Sequence, residues 1–177
     1  MMDMFKEEVV ISRNQTLNSI LYMLCWIVLV MLAFSGVMML QILLYAFDIL
    51  AFALAVFCIG GAVMLFLFKD NFKTEYEYAF TNGVMDFAKV LRNTKRKELG
   101  SMTVANVSAC GHVAHESFRR YLSMKDVQKK NWFLNRDGNL FYFYYVKENR
   151  KNMIIIEPSE EMVDMIRKYL PMGVYQG

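Results

Sequence analysis

The sequence predicts an α+β membrane protein: a two-helix transmembrane hairpin, then an antiparallel β-sheet or barrel of about six or seven strands capped by a C-terminal helix. Three observations carry this reading. From Ile20 to Phe68 there is no Lys or Arg, and Asp48 is the only carboxylate. After Lys69 the apolar residues alternate with polar ones and are interrupted by the turn dipeptides Asn82-Gly83 and Asp137-Gly138. Near the end, Met162, Met165, Ile166, Tyr169 and Leu170 recur at helical spacing. The composition agrees, with 56% hydrophobic residues and a mean hydropathy of +0.24, high for a soluble domain.

Taken in order, residues 1–16 form a short cytoplasmic segment before the first span. A single helix over the apolar tract would far exceed the roughly 30 Å hydrocarbon core at about 1.5 Å per residue. Residues 17–68 therefore divide into two spans, 17–40 and 48–68, with the turn between Gln41 and Asp48. The opening "MMDMFKEEVV" is too mixed in charge for a signal peptide, and no small-residue cleavage site follows the apolar run, so the hairpin is expected to be retained. Lys6 and Arg13 precede the spans, Lys69 and Lys73 follow them, and the turn has no basic residue. The positive-inside rule then puts both termini, and residues 69–177, in the cytoplasm. Ala51, Ala55, Cys58 and Ala62 share one seam of the second span, and Ala33 and Gly36 offer a matching surface on the first. Small residues at that spacing serve either packing within the hairpin or homo-oligomerisation. A lone carboxylate with no basic partner in the spans speaks against an ion pathway.

In the cytoplasmic part, counting outward from Asn82-Gly83 pairs Phe80 with Met85, Tyr78 with Phe87 and Tyr76 with Lys89, all on one face. The same count from Asp137-Gly138 pairs Leu134 with Phe141 and Trp132 with Phe143. It leaves Phe133, Tyr142 and Tyr144 on the other face. "NMIIIE" reads as a further strand after the polar turn "KENRK", and the terminal helix opens after Pro158-Ser159 and stops at Pro171. "KELGSMTV" is compatible with a strand, and "HESFRRYLSMKDV" with a short helix or a crossover.

"YEYAFTNGVMDFAKVLRNTKRKEL" and "NLFYFYYVKENRKNMIIIEPSEEMVDMIRKYLP" together resemble a family of small two-span membrane proteins of clostridial bacteria. The order of elements is similar to that of bacterial pleckstrin-homology-like (PH-like) domains. The resemblance covers residues 75–96 and 139–171 and implies a PH-like fold in a bacterial inner-membrane setting. It implies no activity.

Three groups of residues are candidates for function. Lys89, Arg92, Lys95, Arg96 and Lys97 form a basic cluster with no intervening acid. A strand of about seven residues spans roughly 23 Å, so a chain that leaves the membrane at Lys69 and turns at Asn82-Gly83 returns this cluster to headgroup level. There it can bind anionic lipid, at about 1 kcal/mol per basic residue, or simply set topology. Phe133, Tyr142 and Tyr144 form either a partner surface or a patch beneath the C-terminal helix. Cys110, His112 and His115, with Glu116, bring zinc-competent donors within seven residues. One local run rarely completes a tetrahedral site, however, and a solvated connector is the better reading. Cys25, Cys58 and Cys110 suggest no disulfide framework.

No phosphate loop, nucleophile elbow, paired carboxylates or dinucleotide fingerprint is present. Residues 69–177 hold 18 Lys/Arg against 13 Asp/Glu, without the aromatic-interleaved basic stripe of a nucleic-acid surface. The expectation is therefore a non-catalytic interaction or scaffold module with no cofactor. Its expected partners are membrane lipids and a protein, in a larger membrane complex or a homo-oligomer. A metal-dependent enzyme or sensor built on Cys110, His112 and His115 is the alternative.

Overall fold

The computed structural model describes residues 4–176 and divides into two compact units. One runs from Asn14 to Thr74; the other joins the residues up to Arg13 with those from Glu75 onward.

The first unit is a helical hairpin. Helix α1 (Gln15–Tyr45) and helix α2 (Ile49–Phe68) are both long and apolar enough to cross a membrane. The expected first span ended at residue 40, but α1 continues for another turn, so Gln41 lies inside the helix and the turn contracts to Ala46–Asp48. Asp48 makes that tight turn stable by capping α2, accepting from the Leu50 and Ala51 backbone N–H groups at 3.4 and 3.1 Å. The small-residue seam closes within the hairpin. Ala51, Ala55 and Ala62 are buried, Ala33 and Cys58 are half-buried, and Gly36 is buried where a Cβ would come 2.7 Å from Ile59 Cγ1. At the open end of the hairpin, Lys69 Nζ lies 4.3 Å from the Phe66 ring centroid and 5.2 Å from that of Trp26, and pairs with Asp70 at 3.1 Å. Lys73 lies 4.8 Å from the Tyr22 ring centroid. A 3-10 turn, Lys69–Lys73, ends the unit.

The second unit contains two sheets. The first has the order β1-β2-β3-β4: β1 (Phe5–Val10), β2 (Thr74–Thr81), β3 (Val84–Leu91) and β4 (Lys95–Thr103). Strand β1 pairs antiparallel with β2 from Phe5↔Thr81 to Val10↔Tyr76. The residues before the first span are thus a strand of the β unit and not a separate segment. Between β2 and β3, Asn82 and Gly83 both take positive φ (48° and 88°), as the Asn-Gly signal requires. Arg92-Asn93 (53° and 52°) turns β3 into β4 in the same way. Opposite Phe87 and Ala88 the register of β4 slips by one residue, with Gly100 at φ 129°.

The second sheet has the order β6-β8-β7-β5-β9: β5 (Ala109–His112), β6 (Val127–Trp132), β7 (Phe141–Lys147), β8 (Arg150–Ile156) and β9 (Tyr175–Gln176). The nine described strands exceed the expected six or seven. The hairpin expected at Asp137-Gly138 does not form. Strand β6 pairs in parallel with β8 (Trp132↔Ile156), and β8 lies between β6 and β7. The tight turn of this region is Glu148-Asn149, with φ 52° and 58°, which joins β7 to β8. Strands β7 and β8 take the central places because both are apolar on both faces.

The core lies between the sheets. Tyr78, Phe80, Met85 and Phe87 of the first meet Phe141, Phe143, Ile154 and Ile156 of the second. Helix α4 (Glu160–Arg167) closes this core with Met162, Val163 and Ile166, and Ser159 caps it by accepting from Met162 N at 3.2 Å. On the far face of the second sheet, helix α3 (Glu116–Leu122) covers a smaller cluster.

Two expectations follow. Gly83 needs positive φ, and a Cβ there would meet Tyr169 Cδ1 at 2.7 Å, displacing the ring that packs edge-on against Phe80. Gly83→Val should therefore destabilise the β unit by more than about 1 kcal/mol, read as a lower thermal midpoint, while α1 and α2 still insert. Deleting residues 4–10 should cost more, because it strips β2 of one of its two neighbouring strands and turns it into an edge. Limited proteolysis of the full chain would then cut within β2, and an unchanged digestion pattern would refute the β1 assignment.

Candidate functional site

The basic cluster lies on β3, β4 and the turn between them. This turn sits at the end of the first sheet where β1 finishes and β2 begins, so the chain departs for α1 and returns from α2 at that same end. The register also sorts the cluster by face. Lys89 stands opposite Lys97, and Leu91 opposite Lys95, in line with the core residues Met85 and Phe87. Arg96 stands opposite Val90 on the outer face, where its Nε donates to Glu77 Oε2 at 2.9 Å. That outer face also carries Asp86 and Glu98, which with Glu77, Arg96 and Ala88 line a shallow hollow of about 350 Å³. Among the described residues no carboxylate pairs with Lys89, Lys95 or Lys97. The five residues therefore do not act as one patch: Arg96 belongs to an ion pair on the acidic side, and the three lysines share the other.

The aromatic residues are placed differently from a partner surface. Tyr142 and Tyr144 are buried (0% and 8% exposed), and Phe133 packs beside them, half-buried. Their cover is α3, not the C-terminal helix. Phe118 lies 5.3 Å from the Tyr142 ring, and Tyr121 lies 4.8 Å from the Tyr144 ring. Tyr142 also exchanges a hydrogen bond with Ser117 at 3.0 Å.

Cys110, His112 and His115 do not converge. Cys110 is fully buried in the main core, where burial pushes its thiol up to about 12 and favours the neutral form. His112 meets Asn139 Oδ1 at 2.9 Å and the Phe141 ring edge. His115 caps α3, accepting from Ser117 N at 3.3 Å. Among the described residues, no group of three His, Cys, Asp or Glu side chains is arranged to hold a metal ion.

A polar centre that the sequence reading did not single out joins the end of β1 to the second sheet. Asn135, 9% exposed, donates from Nδ2 to the Ile11 carbonyl at 3.1 Å and to Glu157 Oε1 at 2.9 Å. Its Oδ1 accepts from Arg13 N at 2.8 Å, and Arg13 pairs with Asp137 at 2.7 Å. Glu157 also accepts from Asn135 N at 3.1 Å. A Cβ at Gly138 would lie 2.4 Å from Glu157 Oε1, so the Asp-Gly pair is present to admit this carboxylate and not to turn a hairpin. Tyr78, its hydroxyl pushed up by burial, stays neutral; it donates to the Trp132 carbonyl and accepts from Glu157 N at 3.3 Å. The only sequence signal for this centre was Gly138 beside two polar side chains.

Two sheets around one core, closed by a C-terminal helix, with two long apolar helices inserted after the first strand, define a PH-like domain carrying a helical hairpin. The chain belongs to the family described as Bacterial PH-like domain (DUF6106), which it matches over residues 2–176. Neither the curated proteins nor the solved structures contain a match to it.

Asn135→Ala leaves the Glu157 carboxylate and the Ile11 carbonyl short of a buried donor. It should cost about 1–3 kcal/mol and loosen the link before α1. Hydrogen exchange at the Arg13 amide measures this directly. Protection equal to wild type would show that the centre does not hold the link.

Proposed function

We propose that this protein is a non-catalytic, membrane-anchored module that presents its PH-like domain at the cytoplasmic face of a bacterial inner membrane, where the β3–β4 end engages anionic lipid headgroups. The observation that carries this reading is the insertion of the hairpin between β1 and β2. Neighbouring strands are held about 5 Å apart, so both connections to the spans depart from the sheet end that bears Arg92, Lys95 and Lys97. The hairpin supports the membrane reading in its own right. From Trp26 to Tyr45, α1 rises about 28 Å at about 1.5 Å per residue, close to the thickness of a hydrocarbon core. Aromatic and cationic side chains cluster at the open end, and Tyr45 is 92% exposed at the turn, as interfacial belts require. With Tyr142 and Tyr144 buried, a protein partner would have to use another surface, within a larger membrane complex or a homo-oligomer.

Orientation can be read by labelling whole cells with a membrane-impermeant thiol reagent, with Cys25 and Cys58 replaced by Ala. Cys110 is buried and cannot report. Tyr45→Cys should react from outside, and Met172→Cys, at the fully exposed Met172, only after permeabilisation. The reverse pattern would invert the orientation.

Lipid engagement is tested with the full-length protein in neutral detergent micelles doped with phosphatidylglycerol. Binding should weaken steeply between 0.1 and 1 M salt, as the Debye length falls from about 10 Å to about 3 Å. It should fail when Lys89, Arg92, Lys95 and Lys97 are changed to Gln. Equal binding by the quadruple variant would reduce the cluster to a topology signal.

A further inference from the structure

Resting on that lipid-binding reading, we propose that the anion is held by the facing lysines Lys89 and Lys97, with Lys95 beside them, and that its chemical class is a phosphate monoester. Lys89 and Lys97 are direct cross-strand partners. Like charges in that position destabilise an antiparallel pair, and among the described residues no carboxylate relieves them. Glu8 of β1, on the same face but two strands away from β3, is already engaged, accepting from Ser159 N at 2.9 Å and pairing with Lys6 at 3.2 Å. The outer face is unsuited to an anion, because Glu77, Asp86 and Glu98 outnumber Arg96 there.

The charge of the ligand follows from the pair. Opposed side chains leave their Cβ atoms about 5 Å apart, so both ammonium groups are within reach of one small anion. A monoester carries about −1.5 to −2 at pH 7 and offers three acceptor oxygens. A phosphodiester carries a single charge and leaves one lysine uncompensated. The same chemistry is available from a lipid headgroup that ends in phosphate or from free phosphate, and the position beside the span connections makes either source reachable.

The experiment uses the full-length protein in neutral detergent micelles with three probes: phosphatidic acid, phosphatidylglycerol, and inorganic phosphate without added lipid. Wild type should bind a monoester probe roughly tenfold more tightly than phosphatidylglycerol, as expected for one additional compensated charge pair near the surface. Lys89→Gln with Lys97→Gln should lose that preference, and Lys89→Arg with Lys97→Arg should keep it. A merely structural lysine would not give the second readout. Lys97→Gln should raise the unfolding midpoint of the ligand-free protein, because it removes a repulsion, and should abolish the upward shift that phosphate produces in wild type. That single variant also keeps the test readable if the double variant folds poorly. Tighter saturation by phosphatidic acid than by inorganic phosphate would identify a lipid as the source; the opposite order would identify a soluble phosphate. Equal affinity for phosphatidic acid and phosphatidylglycerol, unaffected by the Gln substitutions, would overturn the monoester site and leave general anionic binding standing. Absence of binding to any of the three would overturn both readings.

Discussion

The pairing of β1 with β2 is the constraint on which the rest of the molecule depends. These strands are neighbours in the sheet but lie on opposite sides of α1 and α2 in the chain. A tight turn would normally join such a pair; here the helical hairpin takes its place. Closing so long a connection costs a flexible chain about 3 kcal/mol more than a two-residue turn, since the entropy grows only with the logarithm of length. The hairpin avoids it because its own packing brings its ends together, with Gly36 against Ile59 at one level and Lys73 against the Tyr22 ring at the open end. The same arrangement forces entry and exit of the spans onto one side. If the helices cross a bilayer, the two ends of the β unit share a compartment whatever the distribution of charge.

How much of this the sequence revealed depends on how local each cause was. Asn82-Gly83 was readable because both residues state their backbone preference within the dipeptide, and the alternation beside it sorts Tyr78, Phe80, Met85 and Phe87 onto the core face. The small-residue seam was readable for the same reason, since helical spacing alone brings Ala51, Ala55 and Ala62 together. The polar turn in "KENRK" falls where the sequence places it, and only its positive-φ pair, Glu148-Asn149, was not legible, because glutamate at positive φ is no turn signal. Asp137-Gly138 was misread because its glycine answers a distant side chain, Glu157. Strand β1 was missed because "FKEEVV" gains its meaning only from β2. Tyr142 and Tyr144 read either as a partner surface or as covered by the C-terminal helix, and the true cover, α3, was not legible because it follows from no pattern in their own strand.

The candidate site shows the same division between composition and register. A run of basic residues is visible in any reading of residues 89–97, but composition does not say which of them act together. The one-residue slip in β4 settles that. Beyond it, Lys97 and Lys95 fall on the face of Lys89, and Arg96 falls on the face of Glu77. Without the slip the parity of β4 would reverse relative to Met102, and the lysines would meet the acids of the outer hollow instead. A bulge in an edge strand also guards that edge against pairing with another chain. One irregularity therefore serves both to concentrate unpaired positive charge and to keep the strand that carries it solitary.

The centre at Asn135 gives this arrangement a mechanical consequence. The residues between β1 and α1 are not a free linker. The Ile11 carbonyl and the Arg13 amide are both tied to Asn135, which is tied through Glu157 to the end of β8. Tyr78 joins β2, the strand that receives the chain back from α2, to the same point through Glu157 N. Both connections to the hairpin therefore converge on one buried polar cluster. Buried polar groups are costly when partly satisfied and rigid when fully satisfied, so a displacement of either connection must be absorbed by breaking a hydrogen bond or by moving the second sheet. The cluster resists small displacements and would fail abruptly under larger ones. That stiffness is local to the β unit, in which Ile11, Arg13, Tyr78, Asn135 and Glu157 all lie.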